Sequence, residues 1–291
     1  MSGWIKILLF VPIWLMFSAI FYSIVYLIYP NSFSLSKNEF DTLMANDFGF
    51  LLISQLAVFF GTFSAILFIS KFIDKKKPTF LKSMLSLNGM LLGIVLGAIE
   101  IILIIIILSI TIKIRITFQS LSTNILWYII IFFIVAISEE TLSRGYIFTN
   151  LYNQTNKYLA IFISSLIFSL MHFFNSSMNW IGILNIVLVG IFFCQLYLIR
   201  MDLSIPIGFH FSWNLFQGPV FGFSVSGFTT QSILNIEDFS GTKFSFENFG
   251  LEGSLISTCV LVVSILFYFI YYSKYWSGSK RVLSSQNLVI E

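Results

Sequence analysis

Charged residues are scarce in this sequence. Asp, Glu, Lys and Arg make up only 10% of the 291 residues, whereas a soluble domain usually contains about 25%. The few charges lie between long apolar runs, and no basic patch interleaved with aromatic residues is present that would bind nucleic acid. The composition therefore excludes an ordinary soluble domain, and the net charge of +3 indicates no particular partner.

Cysteine and several protease signatures are also lacking. The two cysteines, Cys194 and Cys259, fall inside apolar segments, where a free cysteine is usually a buried packing residue. We therefore expect neither a disulfide nor a catalytic thiol. There is no His-Glu-x-x-His zinc helix, no Gly-x-Ser-Gly serine motif and no Gly-x-Gly-Asp motif. These absences exclude three well-known protease chemistries.

Apolar segments are what the sequence has in abundance. Hydrophobic residues make up 57% of the chain, which includes 35 Phe, and the mean hydropathy is +0.92. A bilayer is crossed by about 20 apolar residues. We predict an all-α polytopic membrane protein with about eight transmembrane helices, forming a single membrane domain over residues 1–291. The predicted spans are Trp4–Tyr29, Phe48–Ile73, Leu85–Ile112, Asn124–Phe148, Tyr158–Phe174, Ile181–Ile199, Ser204–Phe223 and Gly253–Tyr272.

The distribution of Lys and Arg predicts the orientation of these spans, because cytoplasmic loops are enriched in both. With both termini in the cytoplasm, 12 of the 16 basic residues lie inside. The four outside are Lys37, Lys113, Arg115 and Lys243. The composition, rich in Ile, Phe, Asn and Ser, favours a bacterial plasma membrane.

Two adjacent carboxylates, Glu139 and Glu140, interrupt one of the most apolar runs in the chain. A charge at the centre of a bilayer costs about 2.5–3.5 kcal/mol on insertion scales, so such residues indicate a functional site. On a helix, Glu140 and Arg144 share a face because they are four residues apart, which is also the arrangement of a structural ion pair. Glu100, in the third span, is expected to be a neutral, hydrogen-bonded core group.

Both histidines of the chain, His172 and His210, fall in apolar spans, and Asn214 follows His210 by four residues. Each is a common helix-packing residue when it occurs alone. Together with Glu139 they form a set suited to hydrolysis. A buried carboxylate accepts a proton from water, and imidazole and amide groups stabilise the oxyanion of a tetrahedral intermediate.

These motifs resemble those of the CPBP family, which comprises CAAX proteases and bacteriocin-processing enzymes and is also called Abi. The family signatures are Glu-Glu-x-x-x-Arg, Phe-x-x-x-His and His-x-x-x-Asn. They correspond here to Glu139–Arg144, Phe168–His172 and His210–Asn214, within a core of residues 124–223.

The resemblance implies an all-helical intramembrane endopeptidase that cleaves a membrane-associated or lipid-modified peptide or protein. It assigns water activation to Glu139 and His172 and the oxyanion site to His210 and Asn214. Glu140 is counted among the catalytic residues, and together with Arg144, a structural support, it is expected to hold Glu139 in place.

Several alternatives stay open. Glu and His also bind Zn²⁺, so a metalloprotease is the alternative to metal-free catalysis, although Asn is a better oxyanion donor than zinc ligand. Two further alternatives to a protease are considered. One is a membrane scaffold or bacteriocin self-immunity protein that acts by binding, and the other is a transporter with a proton relay. The expected partners are membrane lipid and a peptide or membrane-protein substrate. CAAX tails, leader peptides and membrane-bound regulators are all candidate substrates.

Overall fold

The computed structural model describes residues 3–75, 86–112, 114–120, 124–238 and 248–285. Within these residues the chain forms ten α-helices and one two-stranded antiparallel sheet. The helices are α1 (Gly3–Ile28), α2 (Lys37–Asn46), α3 (Phe48–Ile69), α4 (Leu87–Thr111), α5 (Ile125–Glu140), α6 (Thr149–Tyr152), α7 (Lys157–Met171), α8 (Trp180–Arg200), α9 (Ser204–Leu215) and α10 (Leu255–Ser285). The strands are β1 (Ile114–Phe118) and β2 (Leu234–Asp238).

The predicted all-α polytopic membrane fold is confirmed. Five helical segments in the described residues are long and apolar enough to cross a membrane: Trp4–Ile28, Phe48–Asp74, Leu87–Thr111, Ile125–Tyr152 and Trp180–Arg200. Two shorter apolar helices, Lys157–Met171 and Leu255–Tyr271, accompany them. The predicted seventh span corresponds to α9, which is only 12 residues long. The total of about eight transmembrane helices stays a prediction.

Three segments depart from α-helical geometry by forming wider π-helical turns, at Ser70–Asp74, Thr141–Phe148 and Phe216–Val220. Such turns often occur at functional sites, because they rotate the side chains that follow. Two of them directly follow the predicted site residues on α5 and α9. Pro219 lies in the last of these turns, where the sequence predicts that the helix bends or ends.

Helix α9 is buried because α4 approaches its backbone very closely. Gly93 of α4 faces the carbonyl oxygen of Ile205, and Gly208 of α9 faces the carbonyl oxygen of Met90. A Cβ atom at Gly93 would lie 2.1 Å from that oxygen, so a larger residue would push the helices apart. Small residues allow this kind of contact in membranes. The contact carries His210 and Asn214 into the interior.

A surface helix, α2, occupies what the sequence indicates only as a polar loop. Ser36 and Glu39 form a capping box at its start, a signature that is visible in the sequence. Hydrogen bonds from the hydroxyl and backbone N–H of Ser36 hold the pKa of Glu39 below its usual value. Lys37 Nζ donates to the carbonyl oxygen of Phe174 at 2.9 Å, so α2 is tied to the segment that follows His172.

The prediction for the two cysteines is confirmed for one of them. Cys194 is buried as expected, but Cys259 is exposed on α10, so the expectation that both are buried is wrong for Cys259. Both described cysteines are free. The sequence has a cluster of three lysines, Lys75 to Lys77, after the second predicted span, and from Lys76 onwards this cluster lies outside the described residues.

Candidate active site

Four of the predicted site residues line one cavity of about 420 Å³. Glu139 reaches it from the end of α5, His172 from the residue after α7, and His210 and Asn214 from α9. The cavity thus collects three segments that are far apart in the sequence. Glu140 and Arg144 lie behind its wall, and both are completely buried.

The Glu139 carboxylate faces both imidazole rings. Its Oε2 atom lies 3.6 Å from Nε2 of His172 and 3.9 Å from Nε2 of His210. This oxygen is buried and accepts no hydrogen bond within the described part of the chain. The separations exceed those of direct hydrogen bonds, and a small donor such as water is suited to bridge them.

The hydrogen bond made by the other ring nitrogen fixes the tautomer of His172. Nδ1 lies 2.9 Å from the carbonyl oxygen of Phe168. A carbonyl oxygen only accepts, so Nδ1 carries the proton and donates it. In the neutral ring, Nε2 therefore presents a lone pair towards Glu139. This contact gives Phe168 of the Phe-x-x-x-His motif a physical role.

Arg144 is enclosed between two aromatic rings. Its guanidinium carbon lies 4.3 Å from the ring centroid of Phe168 and 4.7 Å from that of Phe193. The guanidinium donates to Oε1 of Glu140 at 3.1 Å and to the carbonyl oxygen of Gly190 at 3.2 Å. The predicted i, i+4 ion pair is therefore present and buried. The sequence did not indicate the parts played by Phe193 and Gly190, because both come from α8.

Glu140 accepts a second hydrogen bond, from His210. Nδ1 of His210 lies 2.9 Å from Glu140 Oε1, the same oxygen that contacts Arg144. The resemblance implies that Glu140 and Arg144 hold Glu139, whereas in the structure Glu140 contacts His210 and Arg144 contacts Glu140. The reason is helical geometry, because successive residues point about 100° apart. Glu139 therefore faces the cavity, and Glu140 faces α9.

Asn214 lies one helical turn beyond His210 on the same wall of the cavity. The residue is only 6% exposed, and its side-chain amide makes no hydrogen bond to any other described residue. Its position in the cavity wall leaves the amide available to a bound group.

Glu252 is a cavity residue that the sequence reading missed. It lies in the short 3₁₀ turn Leu251–Gly253 before α10 and lines the same cavity. Its carboxylate accepts hydrogen bonds from Gln217 Nε2 at 2.6 Å and from the backbone N–H of Ser226 at 3.1 Å. Burial raises the pKa of this carboxyl, against the opposing effect of the two donors. A long loop separates Glu252 from the motifs, so no local spacing could reveal it.

A zinc site does not fit this arrangement as it stands. Zn²⁺ binds imidazole and carboxylate groups at about 2.0–2.2 Å, and zinc-bound histidines usually donate their other N–H to an acceptor, as His172 and His210 do. However, in the described ranges no three His, Cys, Asp or Glu side chains are placed so that they could hold a metal ion.

Comparison with known proteins gives one match. The model of the family described as Rce1-like, type II CAAX prenyl endopeptidase, matches residues 121–216. This segment is about a third of the chain and contains Glu139, Glu140, Arg144, His172, His210 and Asn214. The resemblance drawn from the motifs is therefore confirmed for this segment, and the match supports protease activity in general. Neither a curated protein nor a solved structure matches the chain.

Proposed function

Because residues 121–216 match a family of CAAX proteases, we propose that the protein is an intramembrane endopeptidase that hydrolyses a peptide bond without a metal ion. The observation that carries this proposal is the position of Glu139 Oε2, a buried acceptor between the Nε2 atoms of His172 and His210. A water molecule in this space would donate to Glu139 and become a nucleophile as it loses a proton.

The first step is attack of this water on the carbonyl carbon of the substrate. Glu139 takes one proton of the water, and the lone pair on Nε2 of His172 accepts a hydrogen bond from the other and orients the oxygen. The C–N bond then breaks, and the proton held by Glu139 passes to the leaving nitrogen, either directly or relayed through Nε2 of His172. The water supplies all the atoms added to the products.

The oxyanion formed by this attack is assigned to His210 and Asn214. Glu140 fixes the proton of His210 on Nδ1, so Nε2 donates to an oxyanion only when the ring is the doubly protonated imidazolium. The Glu140 carboxylate is suited to serve as its counter-ion, because it already pairs with Arg144. Preorganised donors of this kind contribute about 3–4 kcal/mol each in known enzymes.

The competing function is a scaffold or self-immunity protein that acts by binding alone. That function would not require Glu139 to remain ionisable beside two histidines in an open cavity. A transporter with a proton relay would use such groups, but the sequence has no internal repeat of the kind found in many transporters. The arrangement around Glu139 therefore favours hydrolysis.

The test compares cells that carry the wild type or Glu139→Gln. Mass spectrometry of their secreted and membrane peptides should show cleavage products that disappear in the variant, with equal amounts of protein in the membrane. Glu39→Gln is the matched control, because this exposed carboxylate on α2 does not line the cavity. Products that persist with Glu139→Gln would remove Glu139 from the reaction.

Metal dependence is tested on purified protein in detergent. Full activity after exhaustive chelation, with no zinc detected by elemental analysis, is the expected result. Loss of activity that is restored by stoichiometric Zn²⁺ would replace the metal-free mechanism with a metalloprotease mechanism.

A further inference from the structure

The mouth of the catalytic cavity lies at one end of the helical bundle. It is formed by α2 and by the segment that follows His172, which are joined by hydrogen bonds from Lys37 to Phe174 and from Ser176 to Asp41. Lys37, Asp41 and Ser176 all line the cavity. The bundle end that carries these residues is therefore the end from which a substrate enters.

The loop that follows α9 belongs to the same end. The backbone N–H of Ser226 donates to Glu252, and the side chain of Asn175 donates to the carbonyl oxygen of Ser226 at 3.2 Å. The loop extends to β2, which pairs with β1 at the end of α4. All of these segments thus lie on the mouth side of the bundle.

The opposite end of the bundle carries the other connections. Lys6 near the start of α1 forms an ion pair with Asp74, after the end of α3, at 2.5 Å. The turn between α8 and α9 lies there too, because Ser204 contacts Gly89 at the start of α4. The described residues at this end include none of those that line the cavity, and we call it the closed end.

Basic residues are concentrated at the closed end. The basic residues described at this end are Lys6, Lys71, Lys75, Lys157 and Arg200. The sequence of the connection between α3 and α4 contains three more, Lys76, Lys77 and Lys82. The connections at the mouth end contain Lys37, Lys113, Arg115 and Lys243. Since cytoplasmic loops are the ones enriched in Lys and Arg, the closed end is assigned to the cytoplasm.

We propose that the catalytic cavity opens on the extracytoplasmic face of the membrane and takes its substrate from that side. The substrate class is an exported peptide, or the outer juxtamembrane segment of a membrane protein. A C-terminal tail that stays in the cytoplasm would meet the closed end. This inference rests on the proposed peptidase function for its substrate, but the orientation is independent of that function.

The orientation is tested by cysteine labelling with a membrane-impermeant maleimide, in full-length protein whose exposed Cys259 is replaced by Ala. Asn38→Cys on α2 and Lys75→Cys after α3 place exposed thiols at the two ends. Asn38→Cys should label equally in intact and permeabilised cells, and Lys75→Cys only after permeabilisation. The reverse pattern would overturn the proposal and leave the peptidase function untouched.

The side of the membrane from which the substrate enters is tested with a peptide that has an apolar membrane-inserting half and a polar half. A fluorophore and a quencher flank the junction between the two halves. Intact protoplasts with the wild type should cleave this peptide when it is added outside, and those with Glu139→Gln should not. If purified wild type cleaves it in detergent but protoplasts do not, the outward mouth is wrong. If purified protein cleaves no peptide, the peptidase function fails, while the labelling still decides the orientation.

Discussion

Two regions within the membrane-spanning part of the chain bury carboxylates in different surroundings. In the first, Glu139 and Glu140 lie beside Arg144, two histidines and an open cavity. In the second, Glu100 of α4 is buried and accepts a hydrogen bond from the hydroxyl of Ser264 on α10. The described residues include no ion pair to Glu100, and Glu100 does not line the cavity that Glu139 faces.

The difference lies in what each carboxylate can exchange with its neighbours. Glu139 faces two imidazoles across a space that admits water, so a proton can move to and from it. Glu100 has a single hydroxyl donor, and a carboxyl in such a place is expected to stay neutral. A buried carboxylate in a membrane therefore indicates catalysis only when titratable partners and a cavity accompany it.

The largest effect is expected from removing the cation of the first region. Arg144→Ala should lower the free energy of unfolding by about 3–5 kcal/mol, because it leaves Glu140 buried without its partner and opens the space between two Phe rings. The measurement is the fraction of folded protein and its thermal midpoint in detergent. Arg200→Ala is the matched control, since Arg200 is half exposed in its pair with Asp202 and should cost about 1 kcal/mol or less.

A double variant sharpens this prediction. Glu140→Gln combined with Arg144→Ala removes both charges, so it should be more stable than Arg144→Ala alone. A stable but inactive Arg144→Ala protein would instead show that Arg144 takes part directly in the reaction.

Local sequence patterns predicted much of the first region. The four-residue spacings of Glu140 with Arg144 and of His210 with Asn214 are properties of one helix, and the structure places each pair on a common face. The capping box at Ser36 and Glu39 is equally local and was available as a signal for α2. The sequence did not predict contacts between distant segments, such as the packing of Phe193 against Arg144 or the position of Glu252 in the cavity wall.

The second region shows the same limit. No partner for Glu100 could be predicted from local spacing, because its donor Ser264 lies 164 residues away on α10. The close contact of α4 with α9 also joins distant segments, although the glycines of α4 that permit it, such as Gly93, recur at a four-residue spacing. Pairing between helices depends on the whole packing arrangement, which one helix does not specify.

An intermediate effect is expected at Asn214, the proposed oxyanion position of the first region. Asn214→Ala should lower kcat by about 10²–10³ with little change in KM, because the amide is expected to act only in the transition state. Asn214→Asp should also have a low kcat, since a carboxylate repels an oxyanion. Steady-state kinetics with purified protein measure both. Full activity of Asn214→Asp together with tighter metal binding would favour zinc, since Asp is the better ligand.

The smallest effect is expected in the second region. Glu100→Gln keeps the size of the side chain and an oxygen that accepts from Ser264, so stability should change by about 1 kcal/mol or less, as for many substitutions that leave packing intact. Peptidase activity should be unchanged. Ser264→Ala, by contrast, leaves a buried acceptor unpaired and should cost about 1–3 kcal/mol. Thermal unfolding and activity of both variants decide the comparison. If Glu100→Gln were stable but inactive, Glu100 would belong to the catalytic machinery, and the distinction between the two regions would fail.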